Sequence, residues 1–159
     1  MDANVAGEVF IKRPMPAAQP PTAGEKFLKW INRGDGHLVV GGKLLKELDN
    51  VNLFREWARE AQLSGKMHRI SDKLVDKTTA NLQAKGGCRS NDPHVIALAQ
   101  VSGSRLLYTN DRKLQHDFSN KILISSPQGK VYETLSGAKK FTDIHKGLLS
   151  RIHLCPLKR

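Results

Sequence analysis

Apolar residues along the chain recur in two rhythms. Phe27, Trp30 and Ile31 keep helical spacing, and Thr22 with Glu25 has the spacing of a capping box. A helix is therefore expected from Thr22 to about Arg33, stopped by Gly34-Asp35-Gly36. His37-Leu38-Val39-Val40 is a short continuous apolar run before Gly41-Gly42, the signature of a buried strand. Leu44, Leu45 and Leu48 open a helical pattern that Phe54, Trp57, Ala58 and Ala61 continue as far as Ser64-Gly65. Ser71 is placed to cap another helix, with Leu74, Thr78 and Leu82 on one face and Lys85-Gly86-Gly87 at its end. Pro93 follows Asp92 as a favoured first helical residue. Val95, Ile96, Leu98 and Ala99 form its apolar face, and Gly103 is its natural stop. Arg105-Leu106-Leu107-Tyr108-Thr109 and Ile122-Leu123-Ile124 read as strands. A last short helix is expected from about Thr142, with Leu148, Leu149 and Ile152.

Helices alternating with short apolar strands predict an α/β fold with a parallel sheet covered on both faces. Length fits one domain over residues 1–159, and no internal repeat is visible. Pro14, Pro16, Pro20 and Pro21 make residues 13–22 an extended loop. Ligands of such sheets bind beyond the carboxyl ends of the strands.

Charge narrows the partner. The formal net charge is +11, which favours a polyanion such as nucleic acid. From Lys121 onward eight basic residues stand against Glu133 and Asp143, so much of the excess lies in the basic C-terminal tail from about 139. Lys139, Lys140, Lys146 and Arg151 are its candidate nucleic-acid contacts. No run approaches the roughly 20 apolar residues of a membrane span, and no secretory signal opens the chain, so no membrane partner and a cytoplasmic location are expected. Cys88 and Cys155 form no CxxC pair, and the six histidines show no HExxH or HxH spacing. His94 is expected on the surface or at a cap, and Phe54 and Trp57 in the core. Gly41-Gly42-Lys43 lacks the spacing of a phosphate loop, and Asn4 stands where a DxD motif needs its second acid.

Four acidic residues sit where a site would form. Asp111 follows the Tyr108-Thr109-Asn110 strand end, Asp92 opens the helix leading into that strand, Glu47 lies in the helix after Val40, and Asp2 sits near the start. Hard divalent cations need such oxygen ligands. Each acid also has a plainer role: Asp92 as a helix cap, Asp111 as a turn residue, Glu47 on a helix surface, Asp2 at a frayed end.

The block Ser90-Asn91-Asp92-Pro93-His94-Val95-Ile96-Ala97-Leu98-Ala99, followed by Ser102-Gly103-Ser104-Arg105-Leu106-Leu107-Tyr108-Thr109-Asn110-Asp111, resembles the C-terminal half of a bacterial PIN domain. Leu114 to Asp117-Phe118 continues the likeness. Asp2-Ala3-Asn4-Val5 resembles the family's opening Asp motif, and Leu44-Leu45-Lys46-Glu47-Leu48 its acid-bearing helix. The resemblance implies a three-layer α/β/α fold with a central, mainly parallel sheet. It also implies a Mg²⁺- or Mn²⁺-dependent endoribonuclease that hydrolyses RNA phosphodiester bonds. The family's catalytic, metal-holding acids map onto Asp2, Glu47, Asp92 and Asp111. Asn4, Ser90, Asn91, Thr109 and Asn110 would orient ligands or water, and Asp117 is the candidate extra carboxylate. Many relatives are toxins of toxin–antitoxin pairs, which implies a small antitoxin partner and a homodimer. The family places an apolar strand before its first Asp, whereas only Met1 precedes Asp2 here. That first strand is expected to be missing or truncated, leaving a gap in the sheet. The competing expectation is a non-catalytic RNA-binding protein on a PIN-like fold with an incomplete metal site.

Overall fold

The computed structural model describes residues 1–11, 22–34, 36–125 and 127–133. A 3₁₀ turn over Ala3–Val5 runs into α1 (Ala6–Val9). There follow α2 (Ala23–Arg33), β1 (Leu38–Val40), α3 (Gly42–Leu48), α4 (Asn52–Leu63), β2 (Met67–Arg69), α5 (Asp72–Lys85), α6 (Pro93–Ser102), β3 (Leu106–Tyr108), α7 (Arg112–Ser119) and β4 (Lys130–Tyr132). The fold is mixed α/β, with short parallel strands joined through helices.

Among the described residues the strands form two ladders rather than one sheet. β1 pairs with β2, Val39 opposite His68, and β3 pairs with β4, Leu107 opposite Val131. Asp2 extends the second ladder's edge, its N–H donating to the Tyr108 carbonyl at 2.9 Å. Helix α6 lies at the centre. Eight of its ten residues are buried, and α5 packs along it. Phe54, Leu44, Leu48, Leu107 and Leu114, all buried, belong to the same core. Tyr108 stacks between Phe27 and Tyr132, with ring centroids 5.2 and 4.7 Å away.

Local chemistry explains most element ends. The Thr22–Glu25 capping box forms: the Thr22 N–H donates to Glu25 Oε2 and the Glu25 N–H to Thr22 Oγ1. Pro93 opens α6, and Gly103 closes it with φ +79°, a left-handed conformation that favours glycine. Phe54 is buried, and Trp57 packs beside it with its indole N–H on Asn32.

Several expectations are corrected. The pattern from Leu44 to Ala61 is two helices, because the chain turns at Asp49-Asn50-Val51. Ile122-Leu123-Ile124 is not a strand. Asn120 organises it as a turn, its side chain accepting from the Ile122 N–H and its carbonyl from Leu123 and Ile124, and Ile122 is 91% exposed. The partner of β3 comes later, at β4. Ser71 makes no side-chain cap; the neighbouring Asp72 carboxylate instead accepts the Gly42 N–H at 2.8 Å and pairs with Arg69. On α5 it is Val75, not Leu74, that is buried with Leu82. The helical segment Ala3–Val9, β2 and α7 had no counterpart in the elements read from the pattern. The proline-rich loop (apart from Thr22), the helix with Leu148, Leu149 and Ile152, Cys155, and the basic residues Lys139, Lys140, Lys146 and Arg151 lie outside the described residues. Among the described residues no helix is long and apolar enough to cross a membrane.

Candidate metal centre

Three elements converge where α3 meets the start of α6. Glu47 lies on the last turn of α3, which begins immediately beyond the carboxyl end of β1. Gly42, the first residue of α3, has φ +57°, and a Cβ there would approach Val75 to 2.9 Å; the glycine lets α3 start tight against α5. Asp92 and His94 occupy the cap and second residue of α6. The burial of α6 on nearly all sides holds both on a rigid support.

Glu47, Asp92 and His94 each offer one ligand atom, and these atoms all lie within 4.8 Å of one another. His94 Nε2 is 3.2 Å from Glu47 Oε2, and His94 Nδ1 is 3.9 Å from Asp92 Oδ1. His94 was expected on the surface or at a cap; its side chain is only 2% exposed. Asp92 takes the cap position of α6, yet its carboxylate makes no cap hydrogen bond. Capping therefore does not account for it, and its oxygens face the cluster. Glu47 is only half-buried, and its other oxygen, Oε1, accepts from Lys43 at 3.2 Å.

Electrostatics bind Asp2 to the same place. Burial pushes the Asp92 carboxyl above the ordinary aspartate value; the positive field of His94 opposes this, and the negative charges of Asp2 and Glu47 add to it. Asp2 is buried, 4% exposed, so it is not a frayed end. Thr109 donates its hydroxyl to Asp2 Oδ2 at 2.8 Å, and the Thr109 Oγ1 in turn accepts from Asn4 Nδ2 at 3.4 Å and from the Asp111 N–H at 3.1 Å. Thr109 is fully buried and thus ties the β3 end, Asp2 and Asn4 into one network.

The remaining candidates divide. Asp111 Oδ1 accepts from the Lys113 and Leu114 N–H groups, so Asp111 caps α7 and is absent from the three-residue cluster. Asp117, the candidate extra carboxylate, is absent from the three-residue cluster. It is 1% exposed, and its Oδ2 accepts from the N–H groups of Arg89 and Ser90 at 2.8 Å each, clamping the strand of chain that delivers Asp92. Ser90 is buried, with its hydroxyl unpartnered among the described residues. Asn91 is exposed. Asn110 turns away to Glu8, which also accepts from the Tyr108 hydroxyl. Lys43 was not among the expected site residues; its exposed ammonium lies 3.2 Å from Glu47 Oε1.

No family model, curated protein or solved structure matches the chain.

Proposed function

We propose that the chain is a divalent-metal-dependent endoribonuclease of PIN-like type, with Asp2, Glu47 and Asp92 as its acidic centre. The observation that carries this reading is the convergence of Glu47, Asp92 and His94 within 4.8 Å, with Asp2 close enough to press on Asp92. Gathered carboxylates repel, and a cation is the ordinary remedy. The carboxylates suit either Mg²⁺ or Mn²⁺, and the imidazole suits Mn²⁺ better, so the residues fit the group that the resemblance implies.

A bound ion of this kind lowers the pKa of water and neutralises charge on a phosphodiester. The chain's own residues do the rest. Thr109 fixes the Asp2 carboxylate, Asn4 donates to the Thr109 hydroxyl, and Asp117 fixes the backbone before Asp92. Lys43, exposed beside Glu47, is placed to pair with a phosphate of an incoming strand. No protein nucleophile is required. The expected three-layer sheet and the small antitoxin partner belong to this same reading.

One observation favours the non-catalytic alternative. Asp111, the fourth acid of the resemblance, has an oxygen committed to capping α7. Calorimetric titration of Mn²⁺ into the intact chain and into Asp92→Asn separates the two. Micromolar binding abolished by the substitution supports the nuclease; no binding to the intact chain leaves RNA binding without chemistry.

A further inference from the structure

We infer that His94 is itself a ligand of the cation, and that this imidazole makes the site select Mn²⁺, or a later borderline metal, over Mg²⁺. The inference rests on the reading that Glu47 and Asp92 hold a divalent ion.

His94 is the one strongly polar side chain buried on the inner turns of α6, among Val95, Ile96, Ala97 and Leu98. Burying an imidazole in apolar surroundings is unfavourable unless its nitrogens find partners. Nε2 has the Glu47 carboxylate at 3.2 Å, while Nδ1 faces the Asp92 carboxylate at 3.9 Å, beyond hydrogen-bond distance. No backbone carbonyl competes for either nitrogen among the described hydrogen bonds. The ring thus faces two acids, Glu47 from α3 and Asp92 from the cap of α6.

Distances allow ligation. Two donors on opposite sides of one ion stand about 4.2 Å apart, given metal–ligand lengths near 2.1 Å. Adjacent donors stand closer, about 3 Å apart. The three candidate ligand atoms lie within 4.8 Å of one another, so side-chain shifts on the order of 1 Å close the set. One imidazole nitrogen would bind the ion while the other donates to a carboxylate, an arrangement that fixes ring orientation.

Chemistry then sets the preference. Mg²⁺ favours oxygen donors and gives up its waters reluctantly, whereas affinity for nitrogen rises along the first-row series from Mn²⁺. A purely positioning His94, holding only Glu47, predicts something different: its removal would weaken Mn²⁺ and Mg²⁺ in parallel.

The test compares Mn²⁺ and Mg²⁺ titrations of the full chain, wild type and His94→Gln, with electron spin-echo spectroscopy of the Mn²⁺-loaded wild type. The expected results are nitrogen modulation in the wild-type echo and a Mn²⁺-over-Mg²⁺ preference that falls about 10-fold or more in the variant. An echo without nitrogen modulation overturns the inference, and this needs no variant to fold. Parallel weakening of both metals also overturns it while leaving the cation site standing. A wild-type chain that binds neither metal removes both the inference and the reading beneath it.

Discussion

Asp92→Asn pits the stability of the metal-free fold against metal binding. In the folded chain the Asp92 carboxyl lies above the ordinary value of 3.8, first because of burial and then because of Asp2 and Glu47, with His94 and Lys43 opposing. A group with a raised folded pKa contributes stability below its unfolded pKa, and that contribution is lost as pH rises through the folded value. At neutral pH the ionised Asp92 therefore weakens the metal-free fold, and Asn removes the charge at nearly constant shape. The side chain is 28% exposed, so solvent screens the repulsion and the gain is on the order of 1 kcal/mol. For a domain of this size that is a rise of about 2–4 °C in Tm. The order reverses with metal. Mn²⁺ at 100 times its Kd stabilises the wild type by about 2.7 kcal/mol, or roughly 5–10 °C, and the variant hardly at all. Calorimetric melts in EDTA and in Mn²⁺, at pH 7 and again below 3.8, read all of this. The variant should melt higher in EDTA at pH 7, lower in Mn²⁺, and level with wild type in acid. A variant that melts lower in EDTA at pH 7, or retains the Mn²⁺ shift, would refute the argument that Asp92 is a strained, metal-facing carboxylate.

Further outcomes follow from individual contacts. Thr109→Val removes the hydroxyl that holds Asp2 and should weaken Mn²⁺ about 10-fold or more by calorimetry, with the fold intact; unchanged affinity would detach Asp2 from the site. Asp117→Ala deletes two charge-assisted bonds to the Arg89–Ser90 backbone and should cost about 3 kcal/mol in urea denaturation, which an unshifted midpoint would contradict. Asp111→Ala should lose about 1 kcal/mol through the α7 cap, whereas Asp111→Asn keeps a capping oxygen; a Mn²⁺ affinity reduced in both would return Asp111 to the metal centre. Reversing the charge of Lys139 and Lys140 should weaken RNA binding and flatten its salt dependence, and an unchanged slope places RNA elsewhere.

Legibility in the sequence followed the range of the interactions. The capping box of α2 and the Pro93-to-Gly103 span of α6 were readable because their chemistry is local. β4 was not, because what makes Lys130–Tyr132 a strand is its pairing with β3, while the more apolar Ile122-Leu123-Ile124 is wound into a turn by Asn120. The break at Asp49-Asn50-Val51 was hidden by an apolar rhythm that happens to stay in phase across two helices. At the site, spacing alone left cap and ligand open for Asp92, and turn and ligand open for Asp111. Only side-chain direction separates them: Asp111 bonds its own helix, and Asp92 does not. His94 left a usable signal. It is the one strongly polar residue within Pro93-His94-Val95-Ile96-Ala97-Leu98-Ala99, a helix too apolar to have a solvent face.

The most direct test of the central claim is cleavage of a labelled single-stranded RNA by the intact chain in Mn²⁺, with EDTA and Asp92→Asn as parallel reactions. Endonucleolytic products that appear only with wild type and Mn²⁺ are the predicted result. RNA that is bound yet stays whole in saturating Mn²⁺, across substrates of varied sequence, would contradict it.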